Sequence, residues 1–314
     1  MIELINLTKN YGNIKAIQNL NFVVEEGEIL GFLGPNGTGK TTTMNIITGY
    51  IPPTEGTVKI CGIDILENPR EAKRHIGYLP ENNPLYQNMT ITEFLDFASD
   101  LKYVPKKQKK SQMYDIMDLV DLIAVRDRLI RNLSKGYKQR VGIAQALIGS
   151  PDVLILDEPT VGLDPKQIIE IRKLIKGLGK KHTVVLSSHI LSEVSAVCDR
   201  VVIINKGEIV AIDTPDNLAK GFKNTSKFQA TIIGNRKIVE KAILGIEGIC
   251  GVNSTIENNN VLSCVIESDK DIDIRESFFY AMVDAGCPIL ESKPLDMSLE
   301  DIFVQLVTNE GGTQ

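Results

Sequence analysis

The chain has 314 residues, which is enough for two domains of ordinary size. Hydrophobic residues make up 43% and charged residues 24%, so the composition excludes a disordered or low-complexity chain. The net charge of −5 argues against broad electrostatic coating of nucleic acid, and no apolar run reaches the roughly 18 residues of a membrane-spanning helix. The five scattered cysteines predict free thiols in a reducing compartment.

The first two-thirds of the chain alternates apolar runs typical of strands with stretches of helical periodicity. The predicted strands are Ile2–Leu7, Asn21–Val24, Glu28–Leu33, Val153–Leu156, Thr183–Ser187 and Val201–Ile204. The predicted helices are Thr41–Tyr50, Gln167–Leu178 and Ile190–Ala196. Because strands separated by helices form parallel sheets with both faces covered, the fold class is predicted to be α/β.

An all-helical segment interrupts this alternation between residues 90 and about 150. Thr90-Ile-Thr-Glu93 has the form of a capping box and opens a helix. Met113–Ile123 repeats apolar residues at helical spacing. The lysine-rich stretch Lys106–Lys110, beside Pro105, is predicted to be a solvated connection rather than a binding patch.

The stretch 216–227 contains Gly221 and several lysines, and it is predicted to be a linker after a first domain of residues 1–215. Residues 228–314 then follow the order β-α-β-β-α-β, with a further helix at Ser298–Leu306. This order predicts a small C-terminal α+β domain of the split ferredoxin-like kind.

The segment Gly34-Pro-Asn-Gly-Thr-Gly-Lys-Thr41 matches the phosphate-binding P-loop pattern and lies between a predicted strand and a predicted helix. Its glycines let backbone N–H groups curl around phosphate oxygens, and the helix N-terminus adds partial positive charge. We expect Lys40 to reach the β- and γ-phosphates and the Thr41 hydroxyl to bind Mg²⁺. A plain glycine turn is the competing interpretation, which the strand–loop–helix context disfavours. The predicted nucleotide contacts in this segment are Gly34, Pro35, Asn36, Gly37, Thr38, Gly39, Lys40, Thr41 and Thr42.

Two carboxylates, Asp157 and Glu158, follow the apolar strand Val153–Leu156. Carboxylates at the end of a buried strand are unfavourable unless a partner compensates, and Mg²⁺ would be such a partner for Asp157. Glu158 projects differently and is positioned to polarise an attacking water as a general base. The competing interpretation is a pair of solvated loop acids, which the P-loop upstream disfavours.

A third motif, Leu133-Ser-Lys-Gly-Tyr-Lys-Gln-Arg140, directly precedes the helical run Val141–Leu147. Ser134 and Gly136 at a helix N-terminus are compatible with a second anion-binding site. Taken alone, the same pattern is better explained as an ordinary serine N-cap.

Together these motifs resemble those of the ATP-binding-cassette (ABC) ATPase family, over residues 1 to about 215. Leu133–Gln139 is similar to the family signature "LSGGQ", with Lys135 at a position where glycine is commoner. The resemblance implies a P-loop ABC cassette with a helical subdomain, ATP and Mg²⁺ as cofactors, and ATPase activity. It also implies that Ser134 and Gly136 contact the ATP held by a partner cassette.

Three further residues take roles from the resemblance. Gly162-Leu-Asp-Pro165 is similar to the D-loop, which implies a place for Asp164 at the dimer interface. His189, just after a predicted strand, resembles the switch histidine that contacts the γ-phosphate. Tyr11 matches the aromatic residue that stacks on adenine.

One position departs from the family pattern. In Ile76-Gly-Tyr-Leu-Pro-Glu81, Glu81 takes the place of the Q-loop glutamine, which meets Mg²⁺ and the transmembrane partner. Glutamate still offers the metal an oxygen, but it adds negative charge beside the nucleotide. The implied metal ligands are Thr41, Glu81 and Asp157, and the implied catalytic residues are Lys40, Glu158 and His189.

The resemblance implies a mechanism that needs two cassettes. In the family, two cassettes pack head to tail, so that the P-loop of one and the signature of the other enclose each ATP. Binding closes the dimer and hydrolysis reopens it. Since this chain carries one P-loop and one signature, its partner would be a second copy or a sister ATPase subunit.

Finer features resemble the ATPases of ABC-2-type exporters, which carry a small C-terminal domain and pair with a separate membrane permease. These features are the stretch before Glu81, the signature variant and Ser298-Leu-Glu-Asp-Ile-Phe303. Ile47–Pro53 and Ile76–Tyr86 are similar to segments of the gliding-motility-associated ATP-binding subunit. The implied location is cytoplasmic, at the inner face of the membrane through the permease.

Two other function classes fit the sequence less well. A soluble ABC ATPase could act on ribosomes or nucleic acid, but the ribosomal type carries two cassettes and the DNA-repair type a long coiled-coil arm. The interval between Lys40 and Leu133 is too short for such an arm. A nucleotide-binding regulator without turnover is disfavoured by the presence of Glu158 and His189.

Overall fold

The computed structural model of the chain describes residues 1–221, 225–258, 260–269 and 272–294, and the chain divides into two units after Pro215. The strands of the first unit are β1 (Ile2–Tyr11), β2 (Ile14–Val24), β3 (Ile29–Leu33), β4 (Glu55–Ile60), β5 (Ile63–Asp64), β6 (Ile76–Leu79), β7 (Val153–Leu156), β8 (Thr183–Ser188), β9 (Arg200–Asn205) and β10 (Glu208–Asp213). Its helices are α1 (Lys40–Ile47), α2 (Pro69–Arg74), α3 (Ile91–Leu101), α4 (Lys106–Leu119), α5 (Lys135–Leu147), α6 (Pro165–Leu178) and α7 (Leu191–Ser195).

A six-stranded sheet in the order β10-β9-β3-β8-β7-β6 forms the centre of the first unit. Every residue of β3 and β7 is buried, which explains why both strands are continuous apolar runs in the sequence. The strands β9, β3, β8, β7 and β6 run parallel, while β10 pairs antiparallel with β9. The predicted α/β class is therefore confirmed.

A second, antiparallel sheet in the order β2-β1-β4-β5 belongs to the same unit. Leu4, Leu20 and Val58 from this sheet share one hydrophobic core with Phe32 of the central sheet and Met44 of α1. The prediction contained no strand at β4, β5 or β6. β4 carries polar residues between its apolar ones, and β5 and β6 have only two and four residues, so their hydrophobic patterns are weak.

The helical segment predicted between residues 90 and 150 is present as α3, α4 and α5. The predicted capping box is confirmed at the start of α3. The Thr90 hydroxyl accepts a hydrogen bond from Glu93 N at 3.2 Å, and the Glu93 carboxylate accepts one from Thr90 N at 2.8 Å.

The prediction that Lys106–Lys110 forms a connection is wrong, because these residues are the first turns of α4, although all of them except Lys109 are exposed as predicted. Lysine is a good helix former, and Pro105 sits at the N-cap, ahead of the first turn. Lys109 is buried, with its Nζ 2.7 Å from Asp96 Oδ1 and 2.8 Å from Asp100 Oδ1. The two carboxylates on α3 supply the charge that makes this position acceptable for a lysine.

The described elements of the second unit are α8 (Pro215–Gly221), β11 (Thr225–Ile233), α9 (Arg236–Leu244), β12 (Ile249–Asn258), β13 (Val261–Asp269), α10 (Arg275–Asp284) and β14 (Ile289–Pro294). From β11 on, the chain follows the predicted β-α-β-β-α-β order, and the sheet is antiparallel in the order β12-β13-β11-β14. Residues of α9 and α10 share one core with the sheet, where the rings of Phe228 and Phe278 lie 5.0 Å apart. The helix predicted at Ser298–Leu306 lies outside the described residues.

The prediction of a linker at 216–227 is wrong in part, because α8 occupies Pro215–Gly221. Pro215 is the first residue of this helix, where the fixed backbone angle and the missing N–H of proline are favourable. The strand β11 then begins at Thr225.

All five cysteines are free, as predicted, and Cys198, Cys264 and Cys287 are buried. Burial raises the pKa of the Cys198 thiol and raises that of Cys264 to about 11, which keeps both thiols protonated and unreactive. Among helices within the described ranges, none combines the length and apolar character needed to cross a bilayer.

We expect a fragment that ends at Pro215 to fold by itself, because the core that joins its two sheets lies entirely within that part of the chain. In scanning calorimetry the fragment should unfold in one cooperative transition of about 150 kcal/mol, at about 0.7 kcal/mol per residue. The same transition should be present in the full chain. A fragment with no cooperative transition, beside a full chain that has one, would contradict the domain division.

Candidate active site

The loop between β3 and α1 has a backbone path that requires glycine. Gly37 and Gly39 have φ angles of +84° and +105°, in the left-handed region that disfavours other residues. A Cβ atom on Gly34 would lie 2.4 Å from the carbonyl oxygen of Ile204, and one on Gly39 would lie 2.6 Å from that of Ala16. The loop therefore packs tightly against the Ile204 and Ala16 carbonyls and leads directly into the N-terminus of α1, where helix N–H groups favour an anion.

Lys40 is a buried cation at the start of α1, with 6% of its surface exposed. Its Nζ donates to the carbonyl oxygens of Gly34 at 2.7 Å and Pro35 at 3.2 Å, and lies 3.8 Å from Glu158 Oε1. Burial lowers the pKa of Lys40, and the nearby charges of Glu158 and Asp157 oppose that change. A buried ammonium group held by carbonyls is suited to bind an anion such as phosphate.

Asp157 is the most deeply buried acid of the site, with 1% of its surface exposed. Its Oδ1 accepts a hydrogen bond from Ser187 Oγ at 2.5 Å, whereas its buried Oδ2 has no hydrogen-bond partner within the described residues. Burial raises the pKa of Asp157, and the charges of Glu158 and Glu81 raise it further. An unpartnered carboxylate oxygen in this position fits a ligand of a hard cation such as Mg²⁺.

The three predicted metal ligands line one cleft. Thr41, Glu81 and Asp157 contribute to a cavity of about 860 Å³ that extends to Leu101 of α3. All three offer oxygen atoms, which are the ligands that Mg²⁺ prefers. Tyr78 lines the same cleft, and burial raises its pKa to about 12.

Glu158 and His189 are brought together by the ends of neighbouring strands. His189 Nδ1 lies 3.1 Å from Glu158 Oε1 and 3.0 Å from Oε2. Glu158 has a φ of +47°, in the left-handed region that residues other than glycine seldom adopt. Ser187 connects the two acids, because its Oγ accepts from Glu158 N at 2.9 Å and donates to Asp157. The sequence analysis missed Ser187, for which the serine pair at the end of β8 was the available signal.

The signature segment packs against the loop that follows Glu158. Ser134 caps α5, its Oγ accepting from Tyr137 N at 3.4 Å. Gln139 Nε2 donates to the Pro159 carbonyl at 2.8 Å. A Cβ atom on Gly136 would lie 2.7 Å from the end of the Gln167 side chain, so α5 and α6 approach closely at this position.

The D-loop aspartate and the predicted adenine-stacking residue lie on separate elements. Asp164 caps α6, with its Oδ1 accepting from Gln167 N at 2.9 Å. Tyr11 lies at the exposed end of β1, with Lys9 Nζ 5.3 Å from the centre of its ring. The neighbouring strand β2 passes the P-loop at Ala16.

A P-loop lysine that faces a strand-terminal Asp–Glu pair, with a histidine against the glutamate, defines a P-loop nucleoside triphosphatase. Residues 17–161 match the family model of the ABC transporter. The bacitracin transport ATP-binding protein BcrA of Bacillus licheniformis is 35% identical over 316 residues, which cover 100% of this chain and 98% of BcrA. The chain belongs to the ABC transporter family, as an ATP-binding subunit.

Other relatives agree with this assignment. The linearmycin resistance ATP-binding protein LnrL of Bacillus subtilis is 30% identical over 307 residues, which cover 98% of each chain. The dimeric post-hydrolysis structure of the ATP-binding cassette MJ0796, bound to ADP and Pi, superposes with a TM-score of 0.62 at 29% identity. That match covers 68% of this chain and 98% of MJ0796. The chain binds ATP and is an ATPase.

We expect Asp157→Asn to stabilise the protein while it weakens the site. Burial raises the pKa of Asp157 above its ordinary value of 3.8, so the ionised carboxylate lowers stability at neutral pH. The variant should unfold at higher denaturant concentration at pH 7, by on the order of 1 kcal/mol without Mg²⁺. The gain should shrink as the pH falls through the raised pKa of the folded state and vanish below 3.8, where the wild-type carboxyl is mostly neutral in both states.

The control for this measurement is Asp127→Asn, since the Asp127 side chain is 81% exposed and far less desolvated. It should change stability by less than about 0.5 kcal/mol at every pH. An Asp157→Asn protein that is less stable than the wild type at pH 7 would contradict the electrostatic argument.

Proposed function

We propose that the chain is the ATP-hydrolysing subunit of an ABC-2-type exporter and works as a dimer with a membrane permease. The observation that carries the proposal is the buried cluster of Lys40, Asp157, Glu158 and His189 at the ends of parallel strands. The names of BcrA and LnrL, which refer to bacitracin transport and linearmycin resistance, support the exporter class.

In the proposed site, the P-loop residues Gly34–Thr42 and the Lys40 ammonium bind the phosphates of ATP. Thr41, Asp157 and Glu81 hold Mg²⁺, for which the unpartnered Asp157 oxygen is the supporting observation. Bound Mg²⁺ would neutralise phosphate charge and polarise the phosphoryl oxygens.

Glu158 acts as the general base that accepts a proton from the attacking water. The 3.0 Å and 3.1 Å contacts with His189 Nδ1 orient its carboxylate, and the Ser187 hydroxyl holds its backbone N–H. His189 has a side chain that is 42% exposed, so it can also reach a γ-phosphate.

The second half of each ATP site comes from a partner cassette, either a second copy or a sister subunit. Ser134, Gly136 and Asp164 are the proposed contributors, and the dimeric state of the MJ0796 structure supports this arrangement. Tyr11 is the proposed adenine-stacking residue, and its exposure at the end of β1 is compatible with that role.

The cleft lined by Glu81 and Tyr78 is the proposed contact site for the permease, which holds the cassette at the inner face of the membrane. The unit from Asp216 onward is proposed to be a separate small domain. The link to gliding motility rests on Ile47–Pro53 and Ile76–Tyr86 and stays a prediction. The names of BcrA and LnrL refer instead to bacitracin and linearmycin.

We expect Glu158→Gln to bind ATP normally and to hydrolyse it at least about 100-fold more slowly, as for the loss of a general base. ATP would then hold the dimer closed, so size-exclusion chromatography with ATP should show dimers that the wild type shows only transiently. Glu170→Gln is the matched control, because the half-exposed Glu170 pairs with Arg140 and not with the site. This variant should hydrolyse ATP at the wild-type rate. Hydrolysis by Glu158→Gln at the wild-type rate would remove Glu158 from its proposed role.

The same trapped variant tests the transport assignment. Tagged Glu158→Gln protein, incubated with ATP and Mg²⁺ in gently solubilised native membranes, should retain a polytopic membrane protein that a tagged Lys40→Ala protein does not retain. Recovery of ribosomal proteins or nucleic acid instead, with no membrane protein, would favour the soluble ABC ATPase and refute the exporter proposal.

Glu81→Gln tests the departure from the family pattern. The substitution keeps an oxygen for the metal and removes one negative charge from the cleft, so the Kd for ATP should stay within about threefold, or about 0.7 kcal/mol. Permease-stimulated ATPase activity should change, whereas Glu71→Gln on the surface of α2 should leave it unaltered. An unchanged stimulated rate in Glu81→Gln would make Glu81 a bystander.

A further inference from the structure

Glu193 is a buried carboxylate that the proposed mechanism does not use. It lies on α7, one helical turn after His189, with 8% of its surface exposed. Its Oε2 accepts hydrogen bonds from Thr160 Oγ1 at 2.5 Å and from Ser188 Oγ at 3.4 Å. Its Oε1 lies 3.6 Å from Arg172 Nη2. A carboxylate loses hydration energy in such a position, so its contacts require an explanation.

The partners of Glu193 belong to the segments that carry the site. Thr160 lies two residues after Glu158, in the loop that leads to Asp164. Ser188 is the residue before His189, and its hydroxyl also accepts from Ile190 N at 3.0 Å. One carboxylate oxygen of Glu193 therefore joins the segment that follows Glu158 to the residue that precedes His189.

A carboxylate that served only to pair with Arg172 would direct both oxygens at the guanidinium group. Here the nearest charged contact is 3.6 Å, and the buried Arg172 Nε has no hydrogen-bond partner within the described residues. The shorter contacts of Glu193 are those with the hydroxyls of Thr160 and Ser188. The geometry thus indicates that the Glu193 carboxylate serves to hold the two loops rather than to pair with Arg172.

We propose that Glu193 is a positioning residue that keeps Glu158 and His189 in register by acting through Thr160 and Ser188. The inference rests on the proposed roles of Glu158 and His189. The Glu158 carboxylate and His189 Nδ1, 3.0 and 3.1 Å apart, are carried by the two segments that Glu193 joins. A displacement of about 1 Å at such a contact can lower a rate by up to about 100-fold without a change in binding.

Three variants separate the contacts. Glu193→Gln keeps the shape and an acceptor for Thr160 but removes the charge, Thr160→Val removes the hydroxyl at nearly constant volume, and Thr160→Ser retains it. We expect kcat to fall by about tenfold in Glu193→Gln and in Thr160→Val, with the Kd for ATP within about threefold of wild type. Thr160→Ser should restore most of the wild-type rate. The double variant Thr160→Val/Glu193→Gln should be no slower than the slower single variant, because both remove one link.

Glu28→Gln is the matched control. Glu28 is also 8% exposed and pairs with an arginine, its Oε1 lying 3.1 Å from Arg200 Nη1, but it precedes β3 and touches neither loop. We expect its substitution to leave kcat unchanged, even where the unfolding midpoint falls.

The outcomes separate this inference from the proposed function. Unchanged kcat in Glu193→Gln and Thr160→Val, beside normal wild-type turnover, would overturn the inference alone. Variants in which ATP affinity and the unfolding midpoint fall together with kcat would also overturn it, because the role of Glu193 would then be structural. A wild-type protein that does not hydrolyse ATP would overturn the proposed function and this inference with it.

Discussion

Buried charge is the constraint on which the rest of the site depends. Lys40, Asp157 and Glu158 are each less than a tenth exposed, and removal of such groups from water is unfavourable unless partners compensate. The Gly34 and Pro35 carbonyls, Ser187 and His189 provide that compensation. They provide it incompletely, since Asp157 Oδ2 has no hydrogen-bond partner in the part of the chain that the structure describes. The buried charges that these groups leave uncompensated are therefore suited to bind a phosphate and a cation.

The parts of the fold that the sequence predicted are those encoded by neighbouring residues. β3 with the P-loop, and β7 with Asp157 and Glu158, are contiguous segments whose apolar runs and glycines leave few alternatives. Because these strands are parallel, their carboxyl ends meet at one edge of the sheet and bring the motifs together. The capping box at Thr90 was predictable for the same reason, since both of its hydrogen bonds join residues three apart.

The parts that were missed depend on partners far away in the sequence. The burial of Lys109 could not be predicted from its own segment, because the carboxylates that pair with it lie on α3. Ser187 and Glu193 are ordinary residues in the sequence, and their importance comes from hydrogen bonds to Asp157, Glu158 and Thr160 across the sheet. Residues that act through other residues leave no motif, so only coordinates can find them.

Glu81, which replaces the glutamine of the family pattern, changes the balance of charge in the whole site. Glu81 shares the cleft with Asp157, and the charges of Glu81, Asp157 and Glu158 all act to raise the pKa of the buried Lys40. The carboxylates also influence one another. Burial is the largest cause of the raised pKa of Asp157, and the charges of Glu158 and Glu81 raise it further. A glutamine at position 81 would leave one charge fewer to neutralise. The excess of negative charge strengthens the argument for a divalent cation in this cleft, because a phosphate alone would add to the repulsion that the cation relieves.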